Sequence, residues 1–83
     1  MKFTSGQIRA ARALIAMSQG ELAARAGVSV PTVKRAESDS KTAPTVAEET
    51  RQSLRAVLEA SGVEFTNGDM PGVRLHKVKP SRR

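Results

Sequence analysis

The sequence predicts an all-α domain, a four-helix bundle built around a helix-turn-helix, with a C-terminal β-hairpin appended. Three observations carry the prediction. A hydroxyl residue stands at helix-capping position at Thr4, Ser18, Ser29 and Thr45, apolar residues recur behind each at helical intervals, and after Gly62 the period changes to strict alternation. With 83 residues and no cysteine, the chain has room for one small domain held by its hydrophobic core rather than by disulfides.

The first helix opens at Thr4, where Thr4 and Gln7 form a T-x-x-Q capping box and Phe3 is placed to staple against Ile8. Ile8, Ala11, Leu14 and Ile15 then make one apolar face. Ser18 and Glu21 read as a second box, with Met17 and Leu22 as the staple pair, Leu22, Ala23 and Ala26 facing inward, and Gly27 ending the helix. Ser29 caps a third helix that tolerates Pro31 in its first turn, with Val28 stapled to Val33 and with Val33 and Ala36 inward. Ser38 to Pro44 is polar and reads as a loop. Thr45 and Glu48 form a further capping box, opening a helix that runs through Leu54, Val57 and Leu58 to Gly62.

Beyond Gly62, Val63 and Phe65 alternate with Glu64 and Thr66, Asn67-Gly68 is a turn signal, and Val73 and Leu75 alternate with Arg74 and His76. The expected division is a helical domain over 3–62, a hairpin over 63–78, and a basic, disordered tail over 79–83.

Charge is unevenly placed. The chain carries 14 Lys and Arg against 8 Asp and Glu, a net charge of +6. Residues 1–36 hold six bases against Glu21 alone, residues 37–69 hold seven acids against three bases, and residues 70–83 hold five bases and no acid. A basic front of this kind is the electrostatic footprint of a polyanionic partner, and nucleic acid is the first candidate. The chain has no Trp or Tyr and only Phe3 and Phe65. Without stacking platforms, duplex DNA suits it better than single strands or RNA.

Other classes drop out. No apolar run of about 18 residues exists to span a bilayer, and Met1 to Thr4 lacks a signal-peptide layout, so a cytoplasmic, nucleoid-associated protein with no membrane partner is expected. His76 is the only histidine. It has no neighbours at metal-ligand spacing, so neither a metal nor a cofactor is expected, and no catalytic constellation supports an enzyme.

The second and third helices, joined by Ala26-Gly27-Val28-Ser29, have the short lengths, the Gly-containing turn and the capped second member of a helix-turn-helix. Ala23 is small where the helices cross, Gly27 can take the positive φ of the turn, and Val28 and Val33 fix the angle. The run Ser18-Gln19-Gly20-Glu21-Leu22-Ala23-Ala24-Arg25-Ala26-Gly27-Val28-Ser29, followed by Thr32-Val33-Lys34-Arg35 and Glu37, resembles the lambda-repressor/Cro-like (XRE-type) helix-turn-helix regulators. The resemblance covers about residues 3–62. It implies a helical bundle that binds operator DNA, usually as a dimer. It also implies that Gln19 contacts phosphate, that Val30, Pro31, Lys34 and Arg35 face the groove, and that Arg12 and Glu37 form a partly buried ion pair. Val30 and Pro31 stand where many members carry Gln, Arg or Ser, and a hairpin and basic tail replace the fifth helix of several relatives.

Chemistry assigns each candidate a role. Arg35 can donate to guanine O6 and N7, worth about 1–3 kcal/mol of discrimination, or clamp a phosphate. Val30 and Pro31 can pack on a thymine methyl or serve only as a rigid helix start. Lys34, a flexible point charge, suits phosphate better than a base edge. Gln19 lies at a helix N-terminus that favours an anion, and Ser29, Thr32, Arg9 and Lys41 extend the phosphate track.

A lone hairpin is marginal in water, so Val63, Phe65, Val73 and Leu75 need another surface. That surface is either the chain's own fourth helix or the same strand of a second subunit. A homodimer is favoured, because it would set two recognition helices about 34 Å apart on one DNA face. The leading expectation is a sequence-specific regulator on double-stranded DNA. The alternative is an antitoxin-like protein whose hairpin and tail clasp a protein partner.

Overall fold

The computed structural model describes residues 3–40, 42, 45–67 and 69–76. Along the chain come α1 (Ser5–Leu14), α2 (Gln19–Ala26), α3 (Val30–Ala36), α4 (Glu48–Ala60), β1 (Val63–Thr66) and β2 (Gly72–Leu75). The two strands form an antiparallel sheet, so the expected all-α class becomes a mainly helical one. Lys41, Gly68 and the expected tail over 79–83 lie outside the described residues.

Three of the expected caps form. Thr4 Oγ1 accepts from Gln7 N at 3.0 Å while Gln7 Oε1 accepts from Thr4 N at 2.7 Å, completing the reciprocal box. Ser18 Oγ accepts from Glu21 N at 3.0 Å, but the Glu21 carboxylate turns to Arg25 one turn on, so this box is half made. Ser29 Oγ accepts from Thr32 N at 3.2 Å. The Thr45 box does not form. The cap of α4 is Ala47, without a side-chain bond, and Glu48 and Glu49 in the first turn bring negative charge to the N–H pole instead.

α1 and α2 stop in the same way. Met17 N donates to Arg12 O and Ala16 N to Ala13 O, as Val28 N does to Ala23 O and Gly27 N to Ala24 O. This paired closure needs a left-handed residue. Gly27 supplies it at φ 72°, but Ala16 supplies it at φ 54°, where a Cβ is unfavourable.

One core joins all parts of the described chain: Phe3, Ile8, Ala11, Met17, Leu22, Ala23, Val33, Ala36, Leu54, Leu58, Val63 and Phe65 are buried. Leu14, expected on the apolar face of α1, is 43% exposed, and Val57 is only partly covered. Helix α2 packs against α3 and α4, and α1 packs against α4 and both strands. The hairpin therefore rests on its own chain. Val63 and Phe65, expected at a subunit contact, are core residues of the monomer because burial beside α1 and α4 satisfies their apolar surface.

Two long-range ties fix the hairpin. Gln7 Nε2 donates to Thr66 O at 2.7 Å and to Gly72 O at 2.9 Å, so one amide caps α1 and bridges both strands. The Phe3 and Phe65 rings meet edge to face at 5.5 Å, with the Arg55 guanidinium over both and Arg51 over Phe3. Arg51 also donates to Phe3 O at 2.7 Å.

Candidate nucleic-acid interface

Helix α3 buries Val33 and Ala36 and packs on α2. Seating those residues turns Pro31, Lys34 and Arg35 outward, and all three are exposed. At spacings of three and four residues they share one face. Val30 is different. It packs against the core and is half-buried, which limits the methyl contact expected of it. Ser29 and Thr32 remain at the helix start, their hydroxyls 2.9 Å apart in a mutual hydrogen bond.

Charge pairing separates α3 from its surroundings. Arg12 pairs with Glu37, Arg9 with Asp39, Arg25 with Glu21, Arg55 with Glu59 and Arg74 with Glu64, while Arg51 is held by Phe3. Among the described residues, Lys34 and Arg35 are the Lys and Arg side chains with no hydrogen bond or ion pair inside the chain. Their charge is available to a ligand.

The support beneath this face is a buried carboxylate. Glu37, just past the end of α3, accepts from Arg12 Nε at 2.7 Å and Nη2 at 3.0 Å, so the implied ion pair is present. Arg12 Nη1 also donates to Met17 O at 3.0 Å. The hydrogen bond to Glu37 raises the Arg12 pKa above its ordinary value, outweighing burial, so the guanidinium stays charged. A third donor joins them: Gln19 Nε2 reaches Glu37 Oε1 at 3.0 Å. This bond ties the first turn of α2 to the end of α3. The backbone N–H groups of Gln19 and Gly20 find no partner among the described residues, as helix-start donors facing a phosphate would require.

Arg9 does not stand free as a phosphate contact. Its guanidinium donates to the Glu37 carbonyl and to Asp39 Oδ2, because a helix C-terminus presents carbonyls of negative partial charge. Sequence spacing gave no sign of the Gln19–Glu37 bond or the Arg9 clamp, since each joins residues on different elements. No cluster of potential metal ligands occurs among the described residues, and no helix among them is long and apolar enough to cross a membrane.

A helix-turn-helix family model matches residues 8–48, from the first core residue of α1 to the first residue of α4. The comparison with curated proteins returns no match.

Proposed function

Residues 8–48 belong to the XRE/lambda-repressor-like helix-turn-helix family, a family of DNA-binding domains, and from that premise we propose a sequence-specific regulator that binds double-stranded DNA as a dimer. The observation that carries this reading is the outward face of α3, where Lys34 and Arg35 hold unpaired charge beside Pro31 while the other described Lys and Arg side chains are engaged within the chain.

In this reading α3 enters the major groove, Arg35 donates in a fork to a guanine, and Lys34 takes a phosphate. Pro31, exposed and without an N–H, packs on a thymine methyl, with Val30 behind it. The Gln19 backbone and the Ser29 and Thr32 hydroxyls complete the phosphate contacts, and the network on Glu37 holds α2 and α3 at one angle. DNA is favoured over a protein partner on the hairpin because the Arg74 guanidinium and the His76 ring there are both bonded to Glu64.

Selection of sites from random duplex DNA with the purified protein tests the proposal. A half-site with one dominant guanine is expected, with affinity falling steeply as salt rises. Arg35→Ala should flatten the preference by about 1–3 kcal/mol at that position, whereas Lys34→Ala should weaken all sites alike and reduce the salt slope by about 1. A preference unchanged by Arg35→Ala would refute the assignment.

A further inference from the structure

We propose that the outward face of α3 recognises a 5-methylpyrimidine in the base pair beside its guanine, thymine or 5-methylcytosine alike, so that methylation of a cytosine there strengthens binding; this deepens the DNA-binding reading above and rests on it. The residues facing outward are few. Pro31, Lys34 and Arg35 are exposed, while half-buried Val30 packs against the core. Pro31 and Arg35 stand one helical turn apart, a spacing that brings Cβ atoms to about 5–6 Å. A helical side chain leans toward the N-terminus over the residue four before it, which sets the stem of Arg35 beside the Pro31 ring. An apolar surface and a two-pronged donor are thereby joined in one unit.

The rest of α3 narrows what that unit accepts. Its seven residues, Val30–Ala36, include no Asn, Gln, Asp or Glu, the side chains that pair with adenine or accept from the cytosine amino group. Besides Lys34 and Arg35 the helix has one polar residue, Thr32, whose hydroxyl is hydrogen-bonded to that of Ser29 at 2.9 Å. Discrimination in the base pair next to the guanine therefore falls to shape and apolar contact. Pro31 has a rigid ring and no N–H, so it covers a methyl group without leaving a donor unsatisfied.

Successive bases lie about 3.4 Å apart along a strand, so side chains one helical turn apart reach neighbouring base pairs while Arg35 forks onto guanine O6 and N7. The apolar group displayed in the major groove is the C5 methyl of thymine. Uracil is thymine without that methyl, and 5-methylcytosine is cytosine with it. Contact through the methyl makes the two methylated bases alike to Pro31, although the neighbouring ring substituent is an acceptor in one and an amino donor in the other. The consequence is a regulator whose occupancy responds to cytosine methylation within its own site.

Duplexes that differ by single methyl groups test this with the unaltered full chain. In the site selected from random duplex DNA, the thymine beside the Arg35-dependent guanine is replaced in turn by uracil, cytosine and 5-methylcytosine, with the partner base changed to match. Binding is followed by fluorescence anisotropy at one salt concentration. Thymine should bind about fourfold tighter per half-site than uracil, and 5-methylcytosine about fourfold tighter than cytosine, the change that burying one methyl group brings. Pro31→Ser, with unchanged circular dichroism, should bring both ratios close to one and keep the guanine preference. A selected site with no thymine next to that guanine, equal affinities within either pair, or ratios retained by Pro31→Ser overturns the proposal. In each of these cases an Arg35-dependent guanine leaves the DNA-binding reading standing. A site preference that ignores Arg35→Ala overturns that reading, and this proposal with it.

Discussion

Glu37 and Arg12 are joined by two hydrogen bonds, at 2.7 and 3.0 Å, across the gap between the end of α3 and the middle of α1. The side chain of Glu37 is 5% exposed and that of Arg12 22%. Removing one partner strands a charge out of water, so Arg12→Ala or Glu37→Leu should each cost about 3–5 kcal/mol in urea unfolding. The double variant Arg12→Met with Glu37→Leu should recover much of that loss, because no uncompensated charge remains. Single and double variants of equal stability would show that the pair does not act as a unit. The Arg12 pKa is raised, so its stabilisation is complete below the ordinary arginine value and constant through the neutral range.

Ala16 offers a gain in stability. Its φ of 54° places a Cβ where only glycine is at ease. Ala16→Gly should stabilise the fold by about 1 kcal/mol, less a few tenths lost to the freer unfolded chain. For a domain of this size that corresponds to a rise of about 4–8 °C in melting temperature per kcal/mol. An unchanged or lower melting temperature would argue that Ala16 is not strained.

Gln7→Leu tests the clasp between α1 and the hairpin. The variant keeps the volume and removes the donor to Thr66 O and Gly72 O as well as the acceptor for Thr4 N. A loss of about 1–3 kcal/mol is expected. Hydrogen exchange should quicken in β1 and β2 while amides of α2 and α3 keep their relative protection. Uniform quickening across the chain would mean that the hairpin and bundle open together.

Glu64 gives a pH signature. The hydrogen bond from Arg74, with a further one from His76, holds its carboxyl below the usual carboxylate range despite some desolvation. A lowered pKa means that its contribution to the hairpin is present above the ordinary value, near 4.3, and is lost as the pH falls through the folded value. A carboxyl NMR titration should give a midpoint below that of a free glutamate, and Arg74→Ala should move it upward. No movement would assign the shift to another cause.

Local pattern made much of this fold legible. Caps at Thr4, Ser18 and Ser29, the turn at Gly27 and the alternation after Gly62 are each encoded within a few neighbouring residues. The outward trio on α3 follows from the two residues that must be buried. What could not be read were contacts between distant residues: Gln7 to the strands, Gln19 and Arg9 to the end of α3, and Arg55 over two phenyl rings. Thr45 misled because acidic residues in the first turn of α4 met the same electrostatic need without a side-chain bond. Val63 and Phe65 misled because alternation marks a buried face without identifying what buries it.

The span bridged by Gln7 also bears on the order of assembly. Its partner Thr66 is 59 residues away, whereas the turns closing α1 and α2 join residues within one helical turn or two. Closing a long loop costs more chain entropy than closing a short one, and non-local contacts delay folding. The helix-turn-helix can therefore gather first from its own neighbours, leaving attachment of the hairpin as the late step that turns a set of helices into one cooperative unit.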